Sequence, residues 1–308
     1  MKTPGLGDIA AAAERLSGHI HRTPVMTSAS LNEAVGAELF FKCENFQRTG
    51  SFKLRGAMNA TLQLSQDVST VVTHSSGNHG AALAFAARAC GKTAVVVVPK
   101  DARPEKRLAI ERLGAEVVDC GEKLADREAV LAEVMASQPE AVFVPPYDHA
   151  EIIAGQGTAA FELLEEVGDL DQLWVPVGGG GLAAGTTIVA NGQIDVICAE
   201  PELARDAHDS LAMGDLQPAM PPHTVADGLR TALGKLNFEI LRQNRIAVVL
   251  VDDEAILKAM GLIWNRLKIV VEPSAAACLA AMLLDPRRVA KRAGIILSGG
   301  NISPPGPY

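Results

Sequence analysis

Short runs of apolar, β-branched residues alternate with longer segments of mixed polarity along most of this 308-residue chain. The longer segments carry apolar residues three and four positions apart, which is typical of amphipathic helices. The short runs are apolar throughout, as expected of parallel strands covered on both faces of a sheet. The alternation therefore predicts an α/β fold. Predicted strands begin at Val71, Ala94, Glu116, Ala141, Leu173, Asp195, Ala247 and Gly294.

The predicted strands fall into two groups, one between residues 70 and 147 and one after it. Together with the length of the chain, this grouping predicts two lobes, each with a largely parallel sheet covered by helices. The predicted small domain spans residues 70–147, and the predicted large domain combines 1–69 with 148–308. Ligands of open α/β sheets bind beyond the carboxyl ends of the strands, so we expect the site in the crevice between the lobes.

Charge and cysteine usage exclude several classes of protein. The formal net charge is -8, and lysine and arginine are scattered along the chain, which disfavours nucleic acid as the partner. No apolar stretch reaches the roughly 18 residues needed to cross a bilayer, and the N-terminal residues lack the form of a signal peptide. We therefore expect a cytoplasmic protein with no membrane partner. The 5 cysteines are widely spaced and form no CxxC pair, which predicts neither a disulfide framework nor a zinc site.

Four consecutive glycines, Gly178 to Gly181, follow a predicted strand and precede a predicted helix. Backbone N–H groups in such a loop can converge on an anion, and the helix N-terminus adds the positive end of its dipole. Ordering four glycines costs more backbone entropy than a tight turn justifies, which favours phosphate binding. A dinucleotide site stays open as an alternative. Gly179, Gly181 and Ala184 fit its G-x-G-x-x-A pattern, and Glu200 lies where a ribose-binding acid is expected.

Two further motifs lie at the ends of predicted strands. The first is "THSSGNHG" at 73–80, whose polar side chains are suited to binding a carboxylate, whereas capping a helix needs only one of them. The second is "LSGGNIS" at 297–303, where Ser298 ends the last predicted strand and two glycines let backbone approach a ligand. The polar residues of the first motif are Ser75, Ser76, Asn78 and His79.

Four motifs occur in the order "GSFKLRGA", "SSGNHG", "GGGGL" and "SGGN". In this order they resemble the fold-type II pyridoxal-phosphate enzymes, whose fold is that of the tryptophan synthase β subunit. The likeness runs from about Ala13 to Asn301 and also takes in "AGQGT" at 154, "ADGLR" at 226 and "EPSAA" at 272. Within this family the chain is similar to serine racemase and to the serine, threonine and 3-hydroxyaspartate dehydratases. The stretch "VPPYDH" at 144–149 is more similar to the hydroxyaspartate dehydratases.

The resemblance implies a site for pyridoxal 5'-phosphate. Lys53 is then the Schiff-base lysine, which also removes the substrate α-proton as a free amine. Its place near a predicted helix start favours the neutral amine, because the helix dipole disfavours a cation there. Ser298 is expected to face the pyridine nitrogen, and a hydroxyl there favours elimination over transamination because it stabilises a pyridinium only weakly. The other implied cofactor contacts are Phe52 beside the ring, Asn78 at the ring hydroxyl, and Gly178, Gly179, Gly180, Gly181 and Leu182 at the phosphate.

The resemblance also implies substrate contacts. The polar residues of the "THSSGNHG" motif are expected to receive the α-carboxylate, and Ser76 matches the acid-base residue of the racemases. Arg127 matches a position that meets an acidic group of the substrate or inhibitor, and a solvated helix charge is the alternative. His149 or Arg230 is expected to supply a cation for a β-carboxylate. Asp148 is alternatively a simple cap of the helix that begins at about His149.

The stretch "AEPELARD" resembles the divalent-cation site of the family. The implied ligands are Glu200, the backbone carbonyl of Ala204, and Asp206. Oxygen ligands of this kind suit Mg²⁺, Mn²⁺ or Ca²⁺. A pair of solvated acids after a strand is the alternative.

The function implied by the resemblance is a pyridoxal-phosphate-dependent ammonia-lyase, or dehydratase. It would convert a small 3-hydroxy amino acid (serine, threonine or 3-hydroxyaspartate) to a keto acid and ammonia, with racemase activity beside it or as the main activity. The family also implies a homodimer. Two other classes stay open: an NAD-dependent dehydrogenase that uses Gly179, Gly181 and Glu200, and a non-catalytic ligand-binding protein with a degenerate lyase pocket.

Overall fold

The computed structural model describes residues 2–102, 104–121, 123–221 and 223–302. Within these ranges the chain forms ten β-strands in two separate sheets. The strands are β1 (Val25–Met26), β2 (Glu38–Cys43), β3 (Thr70–His74), β4 (Thr93–Pro99), β5 (Glu116–Cys120), β6 (Val142–Phe143), β7 (Gln172–Pro176), β8 (Asp195–Pro201), β9 (Ala247–Val251) and β10 (Arg292–Leu297).

The larger sheet has six strands in the order β1-β2-β10-β7-β8-β9, and the smaller has four in the order β5-β4-β3-β6. All neighbouring strands are parallel except β1 and β2, which pair antiparallel. The carboxyl ends of the parallel strands therefore meet at one edge of each sheet, where ligands of such folds bind. This confirms the predicted α/β class with two largely parallel sheets.

Helices cover both faces of the larger sheet. Adjacent residues of β10 point to opposite faces. Ile295 packs in a core beneath the helices Asp253–Leu267 and Pro273–Leu284, and Ile296 packs in a core beneath the helices Ala150–Val167 and Gly181–Ala190. In the part of the chain described, no helix is long and apolar enough to span a membrane. The helices are α1 (Leu6–Leu16), α2 (Ala29–Val35), α3 (Lys53–Leu62), α4 (Asn78–Ala89), α5 (Pro104–Arg112), α6 (Leu124–Ser137), α7 (Ala150–Val167), α8 (Gly181–Ala190), α9 (Asp206–Met213), α10 (Lys235–Gln243), α11 (Asp253–Leu267) and α12 (Pro273–Leu284).

Each predicted strand is present, as β3 to β10. Strand β2 was not predicted, because Glu38 begins it and Lys42 interrupts its apolar run. Some predictions concern residues outside the described ranges: Met1 and 303–308 of the predicted large domain, and the last residue of the motif at 297–303. The domain boundaries at 69/70 and 147/148 stay a prediction.

A buried network of ions joins β2 to two helices. The guanidinium of Arg55, in α3, donates to both oxygens of Glu44 and both oxygens of Glu162 at 2.7 to 2.8 Å. Its remaining bond goes to the Thr158 hydroxyl at 3.0 Å, and Lys42 Nζ donates to Glu162 at 2.7 Å. Two cations and two anions are thus paired in the core. The network fixes α3, the helix that carries Lys53, against β2 and α7.

Candidate active site

The glycine loop lies at the carboxyl end of β7, where α8 begins at Gly181. It has no room for side chains: a Cβ on Gly178 would lie 2.9 Å from the backbone of Leu229, and one on Gly179 would collide with the ring of Tyr147. Gly180 has a φ of +89°, which L side chains rarely adopt. Within the described ranges, the loop N–H groups from Gly178 to Gly181 have no hydrogen-bond acceptor. The loop therefore offers free backbone donors at a helix N-terminus, as an anion site requires.

Lys53 is the first residue of α3, and its Nζ donates to the carbonyl of Pro146 at 2.8 Å. The amine lies 5.2 Å from the ring centre of Phe52 and 5.7 Å from that of Tyr147. Burial lowers the pKa of Lys53 to about 8, although the charge of Glu272 opposes this shift. The sequence predicts the direction of this shift, but its largest cause is burial.

The turn before Lys53 is held by the segment after β10. Ser51 and Gly299 form an antiparallel bridge, and Phe52 N donates to the Ser298 carbonyl at 3.0 Å. Gly300 N donates to the Gly50 carbonyl at 2.9 Å. The structure therefore brings the first and last sequence motifs together. Ser298 is buried, and its carbonyl binds the backbone of the residue directly before Lys53.

Asn78 lies at the start of α4 and is held by two residues to which the sequence analysis assigned no role, although both lie in motifs of the resemblance. Its Nδ2 donates to Glu272 Oε1 at 2.9 Å, and its Oδ1 accepts from Asn301 Nδ2 at 2.8 Å. Burial raises the pKa of Glu272 to about 7. Glu272 directly precedes a proline at the first position of α12, so in the sequence it is indistinguishable from an ordinary helix start. These contacts fix the amide of Asn78 and leave it one N–H for a ligand.

The other polar residues of the "THSSGNHG" motif differ in their placement. Ser75 Oγ accepts from Gly77 N at 3.2 Å, and Ser76 is partly exposed. His79 is buried, with Nε2 3.1 Å from the Val144 carbonyl. Burial, followed by the charge of Lys53, lowers the pKa of His79 to about 3. His79 is therefore neutral near pH 7 and offers a substrate carboxylate no positive charge.

The predicted cations for an acidic substrate group lie in three different places. Arg127, in α6, lies close enough to His74 that its charge, after burial, lowers the pKa of that imidazole. His149 caps α7, where its Nδ1 accepts from Glu151 N at 3.3 Å. Arg230 is exposed, and its Nε donates to the Thr224 carbonyl at 2.9 Å. Of the three, Arg127 lies beside the motif that follows β3.

Asp148 caps a different helix from the one predicted. Its carboxylate accepts from Lys235 N at 3.0 Å and from Leu236 N at 2.9 Å, at the start of α10. The expectation that it caps the helix beginning at about His149 is wrong, because that position is taken by His149 itself. Asp148 therefore ties the segment before α7 to α10.

Glu200 and Asp206 are buried at the carboxyl end of β8. Both oxygens of Glu200 accept backbone N–H groups, from Ala207 at 2.9 Å and His208 at 2.8 Å, and Asp206 accepts from Leu233 N at 2.8 Å. Burial raises the pKa of Glu200 to about 8 and that of Asp206 to about 6. The alternative of two solvated acids is wrong. Because Glu200 is buried and bonded to backbone, the dinucleotide interpretation also loses its ribose-binding acid.

These carboxylates do not make a complete metal site by themselves. Across the described ranges, no group of three or more His, Cys, Asp or Glu residues is placed to hold a metal ion. A cation between Glu200 and Asp206 would need a further oxygen, and Ala204, buried between them in the chain, has a backbone carbonyl. Two buried carboxylates with raised pKa values are the donors that a hard cation prefers.

The residues present fit pyridoxal phosphate on three observations. Lys53 has an amine that is easily made neutral, next to the apolar ring of Phe52. The glycine loop has free N–H groups and no space for side chains. Ser298, which is buried, and Asn78, which is partly buried, lie beside the lysine turn and present a hydroxyl and an amide, the two groups expected at the ring.

Comparisons with known proteins identify the family of the chain. The family model of pyridoxal-phosphate dependent enzymes matches residues 16–299. The chain is 46% identical to a serine racemase of Dictyostelium discoideum, over 98% of this chain and 96% of the relative. It is 43% identical to a beta-hydroxyaspartate dehydratase of Paracoccus denitrificans, over 98% of each chain. The crystal structure of the Dictyostelium discoideum serine racemase superposes with a TM-score of 0.93, 45% identity, and coverage of 98% of this chain and 100% of that one. The chain therefore belongs to the family of pyridoxal-phosphate dependent enzymes.

Proposed function

We propose that this pyridoxal-phosphate-dependent enzyme is an ammonia-lyase of small 3-hydroxy amino acids. Serine, threonine and 3-hydroxyaspartate are the candidate substrates, and a keto acid and ammonia are the products. The observation that carries the proposal is the amine of Lys53, whose pKa is lowered to about 8 beside a glycine loop with free N–H groups. Relatives named serine racemase and beta-hydroxyaspartate dehydratase support this substrate class.

Each residue around Lys53 has a proposed part in binding the cofactor. Gly178 to Gly181 and Leu182 hold its phosphate, and Phe52 packs against its ring. Asn78 donates its remaining N–H to the ring hydroxyl, and Ser298 faces the ring nitrogen. When bound, the cofactor supplies an electron sink for the electron pair left at the substrate Cα.

Lys53 acts as the base of the proposed reaction. Its neutral amine takes the proton from Cα, and the lowered pKa makes that neutral form accessible near pH 8. The bond between Cβ and the hydroxyl oxygen breaks as that oxygen gains a proton and leaves as water. The proton lost from Cα balances the one gained by the oxygen, and hydrolysis of the enamine gives keto acid and ammonia.

Racemisation at the same site is the second candidate function. It needs an acid-base group on each face of Cα, and Ser76 is the proposed partner of Lys53. The partly exposed position of Ser76, just before α4, leaves its hydroxyl accessible to a substrate. Ser75, Ser76, Asn78 and His79 are proposed to receive the α-carboxylate, with His79 neutral. Arg127 is proposed to meet an acidic side group.

A divalent cation at Glu200, the Ala204 carbonyl and Asp206 is part of the proposal. Its support is the buried state of both carboxylates and their raised pKa values. A cation there favours their ionised forms and removes the energetic cost of burying them. Magnesium, manganese and calcium share the oxygen preference of this site.

We also propose that the chain is a cytoplasmic homodimer with the domain division 70–147 against 1–69 and 148–308. The five free cysteines are consistent with a reducing environment. Sedimentation of the purified protein tests the dimer.

A coupled keto-acid assay tests the activity on L-serine, D-serine, L-threonine and the 3-hydroxyaspartate isomers. We expect turnover of at least one of them, and loss of both turnover and cofactor absorbance in Lys53→Ala. Lys258→Ala is the matched control, since Lys258 is a solvent-exposed helix lysine. A colourless wild type would contradict the whole proposal. A coloured wild type that turns over none of these amino acids would contradict only the substrate class.

Ser76→Ala separates the two candidate functions. We expect this variant to lose interconversion of L- and D-serine and to keep elimination from the isomer whose α-proton faces Lys53. Ser137→Ala, at an exposed position of α6, is the control. Equal losses of racemisation and elimination would contradict the proposed role of Ser76.

A further inference from the structure

The start of α10 lies directly against the glycine loop. The carbonyl of Gly179 accepts two hydrogen bonds from this segment, one from Gly234 N at 3.1 Å and one from Asn237 Nδ2 at 2.6 Å. Asn237 is fully buried. The loop is therefore bound on one side by a backbone donor and by one side-chain amide.

The bonds at this carbonyl set the direction of the next N–H group. A trans peptide is planar, so its C=O and N–H point in opposite directions. With the Gly179 carbonyl held toward α10, the Gly180 N–H of the same peptide points away from α10. That N–H has no acceptor among the residues that the structure describes. It is one of the loop donors assigned above to the cofactor phosphate.

The amide of Asn237 is itself held in one orientation. Its Nδ2 lies between two carbonyls, that of Gly179 and that of Tyr147, the second at 3.4 Å. A flipped amide would place Oδ1 against both carbonyl oxygens, which is repulsive. Asp148 holds the backbone at the same point, because its Oδ1 accepts from Asn237 N at 3.3 Å. The Asn237 amide is thus fixed before any ligand binds.

We propose that Asn237 is a positioning residue for the cofactor phosphate: by holding the Gly179 carbonyl it aims the Gly180 N–H into the phosphate site. This inference rests on the proposed assignment of the glycine loop to the phosphate. Asn237 touches neither the substrate nor the reacting atoms. Its effect is confined to the affinity for the phosphate group.

The test compares the binding of pyridoxal 5'-phosphate with that of pyridoxal, which has the aldehyde and ring without the phosphate. Apo-protein is titrated with each compound, and the adduct with Lys53 is followed by absorbance. We expect Asn237→Leu to weaken pyridoxal phosphate about tenfold, since a buried carbonyl loses one of its two donors. The affinity for pyridoxal is expected to stay within about twofold of the wild-type value, because pyridoxal has no phosphate to accept hydrogen bonds from the loop N–H groups. Asn244→Leu is the matched control, since Asn244 ends the same helix and its amide donates only to Ile240 O.

Three results overturn the inference. If Asn237→Leu lowers the affinity for both compounds equally, Asn237 supports the pocket as a whole and not the phosphate site. If the affinity for both is unchanged, Asn237 has no role in binding. If the wild type binds the two compounds with equal affinity, the glycine loop does not bind the phosphate. That result contradicts both the proposed function of the loop and the inference about Asn237. The ³¹P resonance of the bound cofactor is a second measurement, and we expect it to shift in Asn237→Leu and not in Asn244→Leu. If Asn237→Leu does not fold, Asn237→Ser, whose hydroxyl is too short to reach the carbonyl, carries the same expectations.

Discussion

Two sets of buried carboxylates in this protein have opposite electrostatic surroundings. Glu44 and Glu162 each accept two hydrogen bonds from Arg55, and Lys42 adds a third bond to Glu162. Burial alone would raise the pKa of Glu162, but Arg55 and Lys42 outweigh it and the pKa is lowered. Among the described residues, Glu200 and Asp206 have only backbone N–H donors, and their pKa values are raised to about 8 and about 6.

The difference shows which set is complete. The network around Arg55 is neutral within the chain, so it holds α3 without any ligand. Glu200 and Asp206 have no cationic side chain within hydrogen-bonding distance in the described ranges, so ionising either carboxyl would leave a buried charge unpaired. An unpaired buried charge is costly, and the divalent cation proposed above would offset that cost. Four experiments probe this comparison.

The largest expected effect is on the neutral network. Arg55→Met leaves Glu44 buried without its cation, and we expect the free energy of unfolding to fall by about 3 to 5 kcal/mol. Urea denaturation measures it. Adding Glu44→Gln to this variant removes the unpaired charge and should restore part of the loss. If the double variant lost as much free energy of unfolding as the two single variants added together, Arg55 and Glu44 would not be coupled.

The second experiment supplies the proposed cation. Mg²⁺ at about 100 times its dissociation constant should stabilise the wild type by about 2.7 kcal/mol, because only the folded state presents the site. We expect Glu200→Gln to lose this gain. Asp195→Asn, an exposed acid at the start of the same strand, should retain it. Equal stabilisation of Glu200→Gln and the wild type would place the cation elsewhere.

The third experiment varies pH in the presence of EDTA. Because the pKa of Glu200 is raised from 4.5 to about 8, the folded state holds a proton that the unfolded state has already lost. Stability should therefore fall as pH rises through this window. Urea midpoints measured across it should decline more steeply for the wild type than for Glu200→Gln. Added Mg²⁺ should flatten the wild-type curve, and a wild-type curve that rises with pH would contradict the burial of an ionisable Glu200.

The smallest effect is expected at a solvent-exposed ion pair on the protein surface. Lys258 and Glu254 are 72% and 77% exposed and lie 2.6 Å apart on α11. Solvent screens such a pair, so Lys258→Ala should change the melting temperature by less than about 1 °C. Differential scanning calorimetry measures this. If Lys258→Ala destabilised the protein as much as Arg55→Met, burial would not explain why the buried ion pair contributes more to stability than the exposed one.

The sequence predicted the features that are local in the chain. The glycine loop, Lys53 at the start of α3 and the strands β3 to β10 each follow from a pattern within a few residues. These patterns survive folding because turn geometry and side-chain periodicity are set by neighbours in the chain.

The features that the sequence did not predict all depend on distant partners. Strand β2 contains Lys42, whose burial is possible only because Glu162 lies beside it. Glu272 precedes an ordinary helix start, and Asn237 lies in the first turn of a helix with no motif around it. Asp148 caps a helix that begins far along the chain, so the nearest helix was the wrong choice. Only the folded arrangement identifies such partners.

The contact between the turn at Ser51 and the segment at Gly299 has a consequence for synthesis on the ribosome. Asn301 Nδ2 donates to the Thr49 carbonyl at 2.8 Å across 252 positions of the chain. Contacts this far apart close late, after the loop between them has been made and ordered. A nascent chain that has not reached Gly299 lacks the partner that fixes the turn before Lys53. The amine of Lys53 is therefore set in place only when translation of the described chain is nearly complete, and partly made chains lack the finished arrangement around it.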